Sequence, residues 1–275
     1  MAKNIGIQEP ILAALDYAAI PRNVIENANR VAKKAVRSSP EKTKIYADEL
    51  LATYTEAVVK DIVIFFNSGG MGWNLTTDTP GWASILNGIK SELETLGYHP
   101  LVLNYRRTGS GLRSSIREFF EAAYRYPHKT KDLARRVEFL IDNLPGLKII
   151  IAGESTGTVI SEKTMRILRD KQNVYSIQTG MPFWHRPVVL ARTLSMRSNG
   201  SIVDTFSDGR VRAMLWATFK SWFGRKNKPG TILSWLKAPG HDYSWQYPGV
   251  SSAVIKFLES NFAAKNLTTM NGGIS

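Results

Sequence analysis

Lys148-Ile149-Ile150-Ile151-Ala152-Gly153-Glu154-Ser155-Thr156-Gly157 is the stretch on which the reading of this 275-residue chain turns. A short, continuously apolar run is what a strand buried on both faces requires. This one runs straight into a serine flanked two residues away on each side by glycine, and Thr158 to Met165 then reads as a helix. A tight strand-to-helix turn brings the two backbones together, so its neighbours must be small, and Gly153 and Gly157 satisfy that demand. The amino end of the following helix adds a favourable field for negative charge developing beside Ser155.

Outward from this turn the same form recurs. Ile62-Val63-Ile64-Phe65-Phe66 is another apolar run, ending in the glycine-rich Asn67-Ser68-Gly69-Gly70-Met71-Gly72, and Leu101-Val102-Leu103 is a third. Between the runs lie stripes at helical spacing: Trp82, Ile85, Leu86, Ile89, Leu93 and Leu96 up to Gly97, then Leu133, Val137, Leu140 and Ile141 up to Pro145-Gly146. Strand alternating with helix predicts a doubly wound, mostly parallel α/β sheet. Val174–Gln178, Thr193–Met196 and Thr231–Leu236 read as further strands, and Val254–Phe262 as a closing helix. Residues 1–60 read as an N-terminal helical segment, with Val24, Ala28, Val31 and Ala35 at helical spacing and Ser39-Pro40 as cap and first helical position. The α/β domain is expected over 61–265, with about 181–230 as a cap or lid insertion.

Composition narrows the function classes. With 43% hydrophobic and 21% charged residues the chain reads as an ordinary soluble protein. No run approaches the ~20 apolar residues that span a bilayer, and Met1-Ala2-Lys3-Asn4-Ile5-Gly6 lacks the order of a secretory signal, so the expected location is the cytoplasm. The absence of cysteine excludes disulfides, thiolate catalysis and cysteine-ligated zinc. Net charge is +13, and Arg186 to Lys237 holds ten basic residues against Asp204 and Asp208. Such a window favours an anionic partner. Nucleic acid is not expected, because the chain lacks a phosphate loop, zinc spacing or RNP-type aromatics.

A serine hydroxyl is a weak nucleophile at neutral pH and needs a base. Of the four histidines, His99 introduces a strand, His128 lies in a polar turn and His185 follows Met181-Pro182-Phe183-Trp184 in a loop or lid. His241 comes just past the last expected strand on a loop opened by Gly240, in the chain order nucleophile, acid, histidine.

From about Asp61 to Phe262 these features resemble the α/β-hydrolase superfamily, serine esterases and lipases in particular. The resemblance implies Ser155 as nucleophile and His241 as general base. It also implies an oxyanion hole from the backbone N–H of Thr156 and of Gly70 or Met71 in the loop after the first core strand, where Asn67 stands in place of a histidine common in esterases. The family's acid usually follows the penultimate strand in a Gly-x-x-Asp-x-Ile-Val segment. Here Ser198-Asn199-Gly200-Ser201-Ile202-Val203-Asp204 has glycine at that place, so Asp204, four positions on, is the expected acid, with Asp208 second. The implied activity is hydrolysis of an ester or thioester through an acyl-enzyme, with no cofactor and no metal.

One further segment bears on substrate and partner. Between Gly209 and Phe223, Val211, Met214, Leu215, Phe219, Trp222 and Phe223 fall on one helical face, with Arg212, Trp216 and Lys220 on another and Arg225, Lys226 and Lys228 following. Aromatics among cations suit an anionic lipid surface, peripheral to a membrane; the same stripe also fits a cap helix buried over the site. Both suit an apolar acyl group. The alternative to an enzyme is a non-catalytic α/β-hydrolase-like binding or scaffold protein that offers its basic surface to an anionic partner.

Overall fold

The computed structural model describes residues 15–36, 39–69, 80–105, 127–186, 188–223 and 236–263. After a short 3-10 turn, Tyr17–Ala19, the elements are α1 (Arg22–Ala35), α2 (Pro40–Ala57), β1 (Ile62–Asn67), α3 (Pro80–Thr95), β2 (Pro100–Asn104) and α4 (Pro127–Asn143). They continue with β3 (Lys148–Glu154), α5 (Thr156–Ile167), β4 (Val174–Thr179), β5 (Thr193–Met196), α6 (Val211–Trp222) and α7 (Pro248–Asn261). The five strands form one sheet in the order β2-β1-β3-β4-β5, every pair parallel. This is the α/β architecture expected from the alternation of elements.

Alternate residues of each inner strand feed two separate cores. Val63, Phe65, Ile149 and Ile151 pack under α1, α2, α4 and α5, whereas Ile62, Ile64, Phe66, Ile150 and Ala152 pack under α3 and α7. Helices on both faces explain why residues 62–66 of β1 and 149–152 of β3 are continuously apolar instead of alternating. The N-terminal helices belong to this body, since Val24, Ala28, Leu50, Leu51 and Tyr54 share a cluster with Leu133, Val137 and Leu140 of α4. Ser39 stands at the cap position of α2 with Pro40 next, yet its side chain makes no capping bond; its carbonyl instead accepts from the Thr43 N–H and Oγ1.

Three sequence expectations meet different outcomes. The closing helix starts at Pro248, six residues before the apolar repeat begins. Thr231–Ser234 and Trp235 of the last expected strand lie outside the described residues. The stripe on α6 is the clearest correction: the helix buries Met214, Ala217 and Thr218, leaving Val211, Leu215, Phe219, Trp222 and Phe223 exposed together with Trp216. The cap-helix reading buried the stripe, but the face that meets the protein is built mainly of small residues.

The turn after β3 is as tight as its glycines imply. A Cβ on Gly157 would stand 2.3 Å from the Asn67 carbonyl oxygen, and one on Gly153 would stand 2.7 Å from Ser161 Oγ. The N-terminus of α5 therefore rides directly on the end of β1, where Asn67 Nδ2 donates to Ser161 Oγ at 3.0 Å. Because the obstacle at Gly157 is backbone, Gly157→Ala is expected to lower stability by about 3 kcal/mol, the upper part of the overpacking range. A thermal melt compared with the parent checks it.

Candidate active site

β3 ends at Glu154, paired with Thr179 of β4, and Ser155 follows with φ 49 and ψ −121. A positive φ is costly for a residue with a side chain and persists only where the surroundings enforce it. Here the Ser155 N–H donates to the Thr179 carbonyl at 2.9 Å, and its own carbonyl accepts from the Thr158 N–H and hydroxyl at 3.0 and 2.6 Å. Held at both ends of its backbone, the serine sits between strand and helix at 5% exposure.

His241 reaches the same corner from the other end of the chain. Gly180, with φ +67, is the residue after Thr179, and a Cβ on it would stand 2.7 Å from His241 Cε1. Ser155 and His241 thus flank two consecutive residues, Thr179 and Gly180, one contacting the backbone and the other needing the missing side chain. Trp82 of α3 braces the corner by donating its Nε1–H to Thr179 Oγ1 at 2.9 Å.

Asp204 is fully buried, and its Oδ2 lies 2.8 Å from His241 Nδ1. The same oxygen accepts from Tyr243 Oη and Ser207 Oγ, each at 2.8 Å, while Oδ1 accepts the N–H groups of Phe206 and Ser207 at 2.9 and 3.1 Å. Burial opposes ionisation, but the hydrogen bond and charge of His241, with the two bonds from Ser207, outweigh it and hold the carboxyl below its ordinary range. The Tyr243 hydroxyl, buried and beside that charge, is held well above its ordinary range and stays a donor. An acceptor-only carboxylate at Nδ1 fixes the tautomer, with the proton on Nδ1 and the lone pair on Nε2.

The displaced position of the acid has a local cause. After β5 the chain makes a small loop closed by the Ser198–Val203 bridge, in which Asn199 Oδ1 accepts the N–H groups of Ser201 and Ile202. Gly200, with φ +85, lets this loop touch Gly249 at the start of α7. The loop consumes the extra residues and returns the chain so that Asp204 enters beside His241. Asp208 instead pairs with Arg210 at 3.2 Å, and Asp242 accepts from Tyr247 Oη at 2.5 Å and from Asn199 Nδ2.

The remaining expected site residues divide by position. Thr156 opens α5 directly after Ser155. Gly70 and Met71 lie outside the described residues, as do Arg225 and Lys226. Gly69 is described: a Cβ on it would stand 3.1 Å from Ser155 Cβ, and its N–H donates to Glu154 Oε2 at 3.3 Å. Gly69, the last described residue after β1, therefore lies against the serine. Sequence reasoning missed Tyr243, Ser207 and Gly180; the only signal available was that Tyr243 lies two residues beyond His241, and that Gly180 ends a strand next to the nucleophile's strand.

No family model matches the chain, and no curated protein matches it by sequence. Among solved structures, similarity is found to Trichoderma reesei cutinase in complex with a C11Y4 phosphonate inhibitor, at 12% identity and TM-score 0.43, over 88% of this chain and 94% of the other. It is also found to the RedJ thioesterase of the prodiginine biosynthetic pathway in Streptomyces coelicolor, at 14% identity and TM-score 0.27, over 74% of this chain and 61% of the other.

Proposed function

We propose that the protein is a serine hydrolase that cleaves a carboxylic ester or thioester, with Ser155 as nucleophile, His241 as general base and Asp204 as the acid that orients it. The observation that supports this reading is that a strained, backbone-clamped serine bonds Thr179 while the His241 of a buried His241–Asp204 pair packs on the next residue, Gly180. A buried carboxylate ringed by donors and a serine forced to positive φ are both costly, and a folded scaffold needs neither. His241 Nε2 takes the hydroxyl proton as Ser155 Oγ attacks the carbonyl carbon. The proton then passes to the departing alcohol or thiol, and water, activated by the same nitrogen, releases the acyl group. The Thr156 N–H and the N–H of Gly70 or Met71, which follow Gly69 in the chain, are the donors assigned to the oxyanion, each worth about 3 kcal/mol of transition-state stabilisation. Labelling with a fluorophosphonate probe tests the reading: the parent should label and Ser155→Ala should not.

The partner we assign to the exposed face of α6 is an anionic lipid surface. Leu215, Trp216, Phe219, Trp222 and Phe223 stand out to solvent there, and Lys220 Nζ lies 5.0 Å over the Trp216 ring. Arg212 adds charge on the same helix, and Arg225 and Lys226 follow it in sequence. No helix among the described residues is long and apolar enough to cross a membrane, so the association is peripheral. With each basic side chain near such a surface worth about 1 kcal/mol, Lys220→Glu should weaken co-sedimentation with phosphatidylglycerol-containing vesicles roughly thirty-fold. Equal binding of the parent to neutral phosphatidylcholine vesicles, or to neither, rejects this partner.

A further inference from the structure

A second buried histidine–carboxylate pair lies apart from the first. Glu162, seven residues beyond Ser155 on α5, is 1% exposed, and His185 between β4 and β5 is 3% exposed. His185 Nε2 stands 3.0 Å from Glu162 Oε2, and the other oxygen takes Arg166 Nε at 2.5 Å. Burial opposes ionisation of Glu162, yet the hydrogen bonds of His185 and Arg166 outweigh it and keep the carboxyl below its ordinary range. A buried anion does not release one of its donors without being left underpaired. His185 Nδ1 has no hydrogen-bond partner among the described residues, so Glu162 is the ring's hydrogen-bond partner there.

What this anchor holds is a segment without regular structure, Met181-Pro182-Phe183-Trp184-His185-Arg186, which starts at the Gly180 corner beside His241. Two aromatics directly before the anchored residue are half exposed. The Trp184 and Phe183 rings meet Phe206 edge-on at 5.2 and 6.2 Å, and Phe206 in turn lies 4.7 Å from the His241 ring. Apolar rings therefore run in contact from the imidazole through the buried Phe206 to the half-exposed Phe183 and Trp184. Half-exposed large aromatics beside a polar catalytic pair are the lining that an apolar ligand group takes.

We propose that Phe183 and Trp184, with Phe206, form the wall that receives the apolar acyl group, and that Glu162 and His185 are positioning residues clasping this wall to the helix that begins at Ser155. The proposal rests on the hydrolase reading above. It names chain-length selection as the property these residues set, and it leaves the chemical step to the corner itself.

The experiment compares kcat/KM for p-nitrophenyl octanoate and p-nitrophenyl acetate. Phe183→Ala and Trp184→Ala should each lower the octanoate-to-acetate ratio by about ten-fold or more, mainly through KM for octanoate. Glu162→Ala should lower it comparably, while Glu162→Gln and His185→Gln, which keep an acceptor and a donor in place, should restore most of it. A ratio unchanged in the aromatic variants, or equal losses on both esters in every variant, overturns the proposal. Should Glu162→Ala melt below the assay temperature, Glu162→Gln decides for the clasp: a ratio as low as in Trp184→Ala counts against a hydrogen-bonded anchor. A parent that neither labels with fluorophosphonate nor hydrolyses either ester removes the hydrolase reading and the wall with it; a parent active on both with an unaltered ratio in the variants removes the wall alone.

Discussion

Ser155→Ala is expected to lower kcat/KM on p-nitrophenyl esters by at least about 10⁴-fold and to abolish covalent labelling. The size follows from how the neighbouring hydroxyls of α5 are already engaged. Ser161, the nearest hydroxyl in sequence beyond Thr156 and Thr158, donates to the Gly157 carbonyl and accepts from Asn67 inside the fold, and Thr158 Oγ1 is committed to the Ser155 carbonyl. Alanine tolerates the turn's backbone no worse than serine does, so the variant should fold with a melting temperature close to the parent's. Loss of labelling with an unchanged melt ties the chemistry to Oγ. Labelling that survives the substitution would mean another nucleophile.

Asp204→Asn has the second largest expected effect, about 10⁴-fold in kcat with substrate binding nearly intact. An amide can offer Nδ2–H where the parent offers Oδ2, and that position faces three donors: His241 Nδ1–H, Tyr243 Oη–H and Ser207 Oγ–H. The hydroxyls can rotate away. The imidazole can comply only by moving its proton to Nε2, which removes the base from the serine. The same conflict costs stability, about 3 kcal/mol at neutral pH, because buried donors lose their acceptor. The pH dependence has a definite sign. The folded carboxyl is held below its ordinary range, so the unfolded chain binds the proton first as pH falls; the stabilisation is complete above the unfolded value of about 3.9 and is lost as pH drops through the folded one. Denaturant melts carried down through pH 4 and below should show the parent losing more stability than Asp204→Asn, the difference being this contribution, while Glu162, also held below its ordinary range, contributes alike to both curves.

The parts of the molecule that were legible in the sequence share a physical reason. β1, β2 and β3 are buried on both faces, so their apolar runs have no competing explanation, and Gly97 and Gly146 mark ends of helices through positive φ. Ser155 and His241 could be singled out as candidates because the turn's steric demands and the chain order are local facts. Asp204 could be chosen but not secured, since only the small loop closed by Asn199 explains its offset. What the sequence could not carry is which side of an amphipathic helix meets the protein. On α6 the small residues Ala217 and Thr218 face inward and the aromatics outward, a reversal that a stripe of apolar letters cannot announce. Tyr243 and the Glu162–His185 pair were illegible for a different reason, because their partners lie 39 and 23 positions away in the chain.

The shared cluster of α1, α2 and α4 bears on how far the chain can be cut. A fragment beginning at Asp61 retains every described strand and each of Ser155, Asp204 and His241, and so on paper every described residue of the proposed chemistry. It also strips Leu50, Leu51 and Tyr54 from the cluster they share with Leu133, Val137 and Leu140 of α4, laying the outer side of α4 bare to water. The residues of the proposed chemistry are therefore fewer than the smallest piece that can stay dissolved, and α1 and α2 act as ballast that those residues never touch and the fold cannot shed.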